Sequence, residues 1–131
     1  MKMAALKPEE YLIMQSTMRR WIIPTLCHSD LELEVVEDGI LDGDMLPIAF
    51  TEDDEVIGAM VLELHDDIVH ITCLAGILPK GWHRTILETM TSIAKSQGRS
   101  KLQCRGRKGW LRVLKQFGAK QKDEYIQIEV H

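Results

Sequence analysis

One stretch, Asp67–Gly98, constrains the fold more than any other part of the chain. Residues Ile68–Ala75 are rich in β-branched side chains, which predicts a strand whose successive residues lie on opposite faces. The loop Gly76–Gly81 contains turn-forming residues. Apolar residues then recur at helical spacing through Trp82–Ser96, and Gly98 is well placed to end that helix. The stretch therefore predicts a strand–loop–helix unit.

The loop of this unit has residues that suit an anion. Lys80 and Gly81 stand just before the predicted helix, where free backbone N–H groups and the helix dipole both favour negative charge. These residues predict a phosphate-binding loop. They are equally compatible with an ordinary strand-to-helix connection, and both interpretations stay open at this point.

Composition limits the class of protein. A chain of 131 residues, 45% hydrophobic and 27% charged, is typical of a single globular domain. We expect no membrane span, because no apolar run approaches about 20 residues, and no signal peptide, because the N-terminus lacks an apolar h-region. The cysteines Cys27, Cys73 and Cys104 are widely spaced, and Cys73 and Cys104 fall in strand-like segments, which favours buried thiols in a reducing, cytoplasmic compartment over a metal site.

The net charge of −4 hides a strong asymmetry along the chain. Residues 1–79 contain four basic and sixteen acidic groups, whereas residues 80–122 contain twelve Lys and Arg against a single acid, Glu88. The two blocks could simply attract each other in the fold. The basic block also suits a polyanionic partner, either a phosphorylated cofactor or nucleic acid.

The first part of the chain predicts a strand at Lys2–Leu6, followed by a helix that Pro8 opens. Tyr11 begins a stripe of Met and aromatic residues at helical spacing, which indicates a core face, and Pro24 ends or kinks the helix. Residues 31–44 read either as a strand, since apolar residues alternate with glutamates, or as a short helix.

The middle of the chain predicts three antiparallel strands. Leu46–Thr51, Val56–Leu64 and Ile68–Ala75 are separated by two short acidic turns, a pattern typical of a meander. Because a helix follows the third strand, Lys101–Cys104 is expected to pair parallel to it through a right-handed crossover. A mixed α/β fold results.

A second basic loop follows the parallel strand. Arg105–Gly109 leads into a predicted helix at Trp110–Phe117, and Tyr125–Val130 is the predicted final strand. Both basic loops leave the carboxyl ends of neighbouring parallel strands, so we expect Lys80 and Arg84 to lie near Arg105, at the edge where open α/β sheets bind ligands.

This order of elements resembles the GNAT (Gcn5-related N-acetyltransferase) fold over nearly the whole chain. The best local matches are the meander EDDEVIGAMVLELHDDIVHI and the tail WLRVLKQFGAKQKDEYIQIEV. The resemblance implies a single domain with an antiparallel meander, a strand–helix–parallel strand unit and helices on both faces of the sheet.

The resemblance also implies a cofactor loop. In the family, the loop after the fourth strand carries Q/R-x-x-G-x-G/A, whose amides bind the pyrophosphate of acetyl-coenzyme A. Aligning the helices places this motif on residues 78–83, where only Gly81 matches. Leu78 replaces the polar first position and His83 the small last one, which predicts weakened or lost cofactor binding. The family's tyrosine acid falls on Leu114, and its glutamate base is missing from a strand that offers His70 and Thr72.

Two function classes follow from this resemblance. The first is an acyl-coenzyme A-dependent N-acyltransferase in which His70 or His83 acts as the base, since a histidine pKa near neutrality suits that role. His70 can equally be a half-buried histidine bonded to a neighbour, and His83 a solvent-exposed residue at the helix start. The residues that would hold the cofactor are Lys80, Gly81, Trp82, Arg84, Arg105 and Arg107.

The second class is a non-catalytic protein that keeps the scaffold and binds nucleic acid or a protein partner through its basic face. The tail RKGWLRVLKQFGA is similar to short GNAT-like proteins of tailed bacteriophages, some of them encoded beside particle-assembly genes. That similarity implies a location in the host cytoplasm or the virion.

Overall fold

A computed structural model describes residues 1–28, 31–106 and 109–130. Within these ranges, seven strands form one mixed sheet in the order β1-β2-β3-β4-β5-β7-β6, which confirms the mixed α/β architecture. The strands are β1 (Lys2–Ala5), β2 (Met45–Glu52), β3 (Glu55–Leu64), β4 (Ile68–Gly76), β5 (Lys101–Arg105), β6 (Lys120–Lys122) and β7 (Tyr125–Glu129). The α-helices of the same ranges are α1 (Pro8–Ile13), α2 (Gln15–Ile22), α3 (Leu33–Asp42), α4 (Trp82–Ser96) and α5 (Trp110–Leu114).

The described chain divides into two compact units. The first consists of Met1–Glu63 and Thr72–Pro79, and the second of Leu64–Ile71 and Lys80–His131. Strand β4 contributes its first half to the second unit and its second half to the first. That the chain is one domain stays a prediction.

In the first unit, β1 and β3 flank β2, both antiparallel to it. The β2–β3 turn is made by Asp53 and Asp54, whose φ angles of 50° and 66° are left-handed. Aspartate tolerates this conformation better than most residues, which suits a tight hairpin. Thr72 of β4 donates a hydrogen bond to Glu63 at the end of β3 (3.3 Å). The predicted acidic turn between β2 and β3 therefore forms, and it sets the register in which Glu52 pairs with Glu55.

The first helical segment is interrupted at Met14. The sequence predicts one helix from Pro8, but the structure has α1 and α2, which meet at Met14. The hydrogen-bond ladder nevertheless continues, because the Met14 N–H bonds to the Glu10 carbonyl and the Met18 N–H to the Met14 carbonyl. The predicted core stripe is confirmed, with Tyr11 and Met18 fully buried.

Residues 33–42, which the sequence left open between strand and helix, form α3. Val36 and Ile40 are spaced one turn apart and both are buried, so a helix places them on a single core face. Gly43 ends the helix with a φ of +85° and donates its N–H back to Gly39 and Ile40, as a left-handed terminal glycine commonly does. Glu34 therefore lies on the exposed side of this helix, whereas Glu37 lies with the buried residues.

In the second unit, α4 connects β4 to β5, which pair parallel with Ile68 opposite Lys101. This confirms the predicted parallel pairing through a connecting helix. Strand β7 pairs antiparallel to β5, and the short edge strand β6, which the sequence analysis missed, pairs with β7. The predicted last helix ends early, because Lys115–Phe117 is a 3₁₀ helix. The buried core of this unit contains Cys104, Leu114, Ala119 and Ile126.

Two turns of the second unit are tied together, which fixes the parallel register. Ser100, just before β5, donates its backbone N–H (3.0 Å) and its hydroxyl to Asp67, just before β4. These two hydrogen bonds from Ser100 lower the pKa of Asp67. Arg99 also donates to the carbonyls of His65 and Asp66. These hydrogen bonds therefore hold the residues just before β4 and those just before β5 next to each other.

Two of the three cysteines are buried, as the sequence predicts. Cys73 and Cys104 are buried and Cys27 is exposed, and none forms a disulfide. Burial raises the pKa of the Cys73 thiol, which keeps it protonated and unreactive. Of the helices in the described ranges, none is long and apolar enough to cross a membrane.

Candidate functional site

The N-terminus of α4 is the centre of the candidate site. Gly81, the residue that precedes the helix, has a φ of +84°, and no atom lies within 4 Å of where a Cβ would stand. A left-handed residue is needed to turn the chain from the loop into the helix, and glycine adopts that conformation without strain. No side chain caps the helix at Gly81, so the first-turn N–H groups have no partner within the helix.

The charge around this helix start is positive. Lys80 and Arg84 are both exposed, and the first turn of α4 contains no acidic residue. Free amides, the positive end of a helix of 15 residues and two nearby cations form a donor set suited to a phosphate or pyrophosphate.

The two basic loops enter helices that begin close together, as the sequence analysis expected. Trp82 in the first turn of α4 contacts Trp110 in the first turn of α5, with the ring centroids 6.2 Å apart in an edge-to-face arrangement. Gly109, which precedes α5, is left-handed with a φ of +92°. Trp110 was missed as part of this region, although its position directly after the second glycine loop was a usable signal.

The arginines of the second loop are placed differently. Arg105 ends β5, is exposed, and forms an ion pair with Glu124 (3.7 Å) in the turn between β6 and β7. Because both side chains are largely solvated, this ion pair is weak and leaves the guanidinium able to exchange partners. Arg107 lies outside the described residues.

His83 is stacked on its neighbour Trp82, with ring centroids 3.6 Å apart. Partial burial lowers the pKa of His83, because desolvation disfavours the charged imidazolium. At neutral pH the ring is therefore in the neutral form that can accept a proton. Of the solvent-exposed alternative for His83, the structure shows a helix-start residue that is half-buried, since the indole ring shields one face.

His70 has a different set of neighbours. Its Nδ1 atom lies 3.0 Å from the side-chain nitrogen of Gln103 on β5. An amide NH₂ can only donate, so Nδ1 is the acceptor and the ring proton belongs on Nε2. Gln127 on β7 in turn donates to the carbonyl oxygen of Gln103 (2.7 Å), which orients that amide. The alternative of a half-buried histidine bonded to a neighbour is what the structure shows.

Sequence reasoning missed both glutamines. The signal was available in the parallel pairing of β4 with β5, because the register places position 70 opposite position 103 and position 103 opposite position 127. Predicting that these side chains touch required the register to the exact residue, which polarity patterns alone do not give.

Comparison with solved structures identifies the fold. An aminoglycoside 6′-acetyltransferase of type Ii superposes with a TM-score of 0.73 over 100% of this chain and 98% of that chain, at 10% sequence identity. The chain has the GNAT fold. The loop before α4 follows the fourth strand, the place where the resemblance put the cofactor motif of GNAT proteins.

Two further GNAT structures agree. YhbS from Escherichia coli, solved in complex with CoA, gives a TM-score of 0.69 at 17% identity, covering 99% of this chain and 81% of that one. Tetrahymena GCN5 gives 0.67 at 11% identity, covering 92% and 88%. No protein-family model and no curated protein sequence matches the chain. At these identities the likeness shows the GNAT fold and extensive sequence divergence.

Proposed function

We propose that this protein is a divergent N-acyltransferase relative that binds an acyl-coenzyme A weakly at the N-terminus of α4. The observation that carries the proposal is the left-handed Gly81 with open space beside it, placed between the fourth strand of a GNAT fold and a helix start flanked by Lys80 and Arg84. The CoA bound to YhbS supports a cofactor of the same class.

The residues present fit the diphosphate part of such a cofactor. The first-turn amides of α4 supply neutral donors, and Lys80 and Arg84, both exposed, supply the charge. Two departures weaken the fit. Leu78 is half-buried, and its Cδ2 atom lies 3.2 Å from where a Cβ would stand on Gly76. Because its side chain is aliphatic, it offers the cofactor no polar contact. His83 puts a ring where GNAT proteins have a small residue.

The chemistry supplied by a bound acyl-coenzyme A is an activated thioester, whose acyl group can pass to an amine. The part of this chain in that reaction is to accept the proton that the amine loses. His83 is the better placed of the two candidate bases, because its lowered pKa keeps the ring neutral and it lies in the first turn of α4 beside the proposed cofactor site. His70 is the less suitable candidate, because Gln103 donates to its Nδ1 and the ring proton lies on Nε2.

Calorimetric titration of acetyl-coenzyme A tests this proposal. We expect a dissociation constant weaker than about 10 μM, roughly −7 kcal/mol, because two of the three motif positions are lost. Arg84→Gln should weaken binding about threefold to tenfold by removing one charge at the helix start. The matched control is Lys95→Gln, which removes an exposed charge from the last turn of the same helix and should leave binding unchanged.

Each contrary result is informative. A dissociation constant in the low micromolar range would show that the loop is not weakened. Equal losses in the Arg84 and Lys95 variants, or no heat at millimolar cofactor, would contradict a site at the start of α4. The phage resemblance of the tail, and with it a location in the host cytoplasm or the virion, stays a prediction.

A further inference from the structure

The strands of the second unit present a polar face that lies outside the proposed cofactor loop. Strand pairing places one set of side chains in two cross-strand rows on that face. The first row runs His70–Gln103–Gln127–Lys120, and the second runs Arg105–Tyr125–Lys122. We call these seven residues the polar sheet face.

The opposite side of the same strands is apolar and forms the core of the unit. Cys104 of β5 and Ile126 of β7 lie opposite each other and are buried with Leu114. The alternation is what a sheet covered by helices on one side produces. On the polar sheet face Arg105, Lys120 and Lys122 are exposed and the remaining four residues are half-buried.

Two aromatic rings lie within this face. Tyr125 contacts His70 edge to face, with centroids 5.8 Å apart and an angle of 84° between the ring planes. The amide chain from Gln127 through Gln103 to His70 holds the histidine ring in place. Rings held in position by a sheet lose little conformational freedom when a ligand stacks on them.

Cations flank the rings. Tyr125 stands between Arg105 and Lys122 in one row, and Lys120 ends the neighbouring row, roughly 7 Å away along the strand. Glu124, in the turn between β6 and β7, pairs with Arg105 at 3.7 Å while both side chains remain about half exposed. An exposed pair of this kind is worth little and yields readily to a phosphate.

We propose that the polar sheet face binds single-stranded nucleic acid. A sheet face with two aromatic rings, amides beside them and exposed cations around them meets the three needs of that ligand, which are base stacking, hydrogen bonding to base edges and phosphate neutralisation. An acidic protein would use the cations but gain nothing from the rings. This binding uses none of the residues at the start of α4, and it shares only His70 and Arg105 with the candidate residues for acyl transfer.

Fluorescence anisotropy with a labelled oligothymidylate of about 15 nucleotides tests the proposal on the full chain. Affinity should fall with salt by about 0.7 logarithmic units per tenfold salt for each phosphate contacted. The double variant Lys120→Gln/Lys122→Gln should reduce that slope by up to about 1.4. The control double variant Lys95→Gln/Lys115→Gln removes the same charge from exposed helical positions and should leave the slope unchanged.

The ring contribution has its own test. Tyr125→Ala should weaken binding by about fivefold to 150-fold through loss of stacking, whereas Tyr125→Phe keeps the ring and should retain most of the affinity. The lysine variants are surface changes, so they keep the proposal testable if the alanine variant fails to fold.

Four results would overturn the proposal. They are no anisotropy change at low salt, equal losses in the two lysine doubles, equal affinity of the alanine and phenylalanine variants, and competition by polyglutamate as effective as that by unlabelled oligothymidylate. A dimer that the Lys120/Lys122 variant alone dissociates would also overturn it, by showing that a second copy covers the face.

Discussion

Replacing Gly58 with alanine is expected to lower the free energy of unfolding by about 3 kcal/mol. A Cβ atom on Gly58 would stand 2.5 Å from the carbonyl oxygen of Ala75 and 2.8 Å from the Cα atom of Gly76. Both are backbone atoms of β4, where that strand runs beside β3. These atoms cannot move away without breaking the hydrogen bonds between the strands, so the clash cannot be relieved at a low cost in free energy.

A variant at a second glycine, Gly43, distinguishes the cost of the steric clash from the cost of a left-handed backbone conformation. Gly43→Ala places alanine at a φ of +85°, with nothing within 4 Å of its Cβ, and should cost about 1 kcal/mol from the left-handed conformation alone. Urea denaturation of the two variants gives the comparison. Similar losses at both positions would mean that β3 and β4 do not approach each other as closely as described.

The second large effect is expected at Glu37, a buried carboxylate on α3. It accepts hydrogen bonds from the hydroxyl of Tyr11 (2.6 Å), the side chain of Gln15 (3.0 Å) and, through both oxygens, the guanidinium of Arg19 (2.7 and 3.0 Å). Four donors converge on one group whose side chain is 11% exposed. Glu37→Gln should lower stability by about 2–3 kcal/mol, because the remaining donors lose their charged acceptor.

The pH dependence of this effect follows from its pKa. The guanidinium of Arg19 is the main cause that lowers the pKa of Glu37 from 4.5 to about 2, aided by Tyr11 and Gln15 and opposed by burial. A carboxyl whose pKa is lower in the folded state contributes its full stabilisation above pH 4.5, and loses it as the pH falls toward 2. The stability difference between wild type and Glu37→Gln should therefore shrink in acid.

Thermal or urea unfolding between neutral and acidic pH measures this difference. The control is Glu34→Gln, which removes the same charge from an exposed position on the same helix and should change stability little at any pH. A Glu37 effect that stays constant down to low pH would contradict the role assigned to its ionised form.

The fold could be predicted to a large extent because its signals are local. Two short acidic turns and a helical stretch bounded by Gly81 and Gly98 were sufficient for the meander and the parallel crossover. Strand β6 could not be predicted in the same way, since its three exposed residues have no hydrophobic pattern and depend on pairing with β7. The choice of helix for residues 33–42 depended on the burial of Val36 and Ile40, which the sequence alone does not report.

The candidate site was predictable only in part. The glycine and cations at the start of α4 stand out in the sequence, because the residues that make up this loop and helix start are adjacent in the chain. The neighbours of His70 do not, since Gln103 and Gln127 are 33 and 24 positions removed from their respective bonding partners. Glu37 was likewise hidden among the acidic residues of its segment, and only the fold brings Tyr11 and Arg19 to it.

The central claim is that an acyl-coenzyme A binds at the start of α4 in this GNAT fold. Backbone amide chemical shifts, followed by NMR while coenzyme A is titrated into the ¹⁵N-labelled protein, test it at the level of single residues. We predict that the largest shifts occur at Gly81, Trp82, His83 and Arg84 and change continuously with concentration, as weak binding requires. Shifts confined to other parts of the chain, or none at millimolar coenzyme A, would contradict the claim.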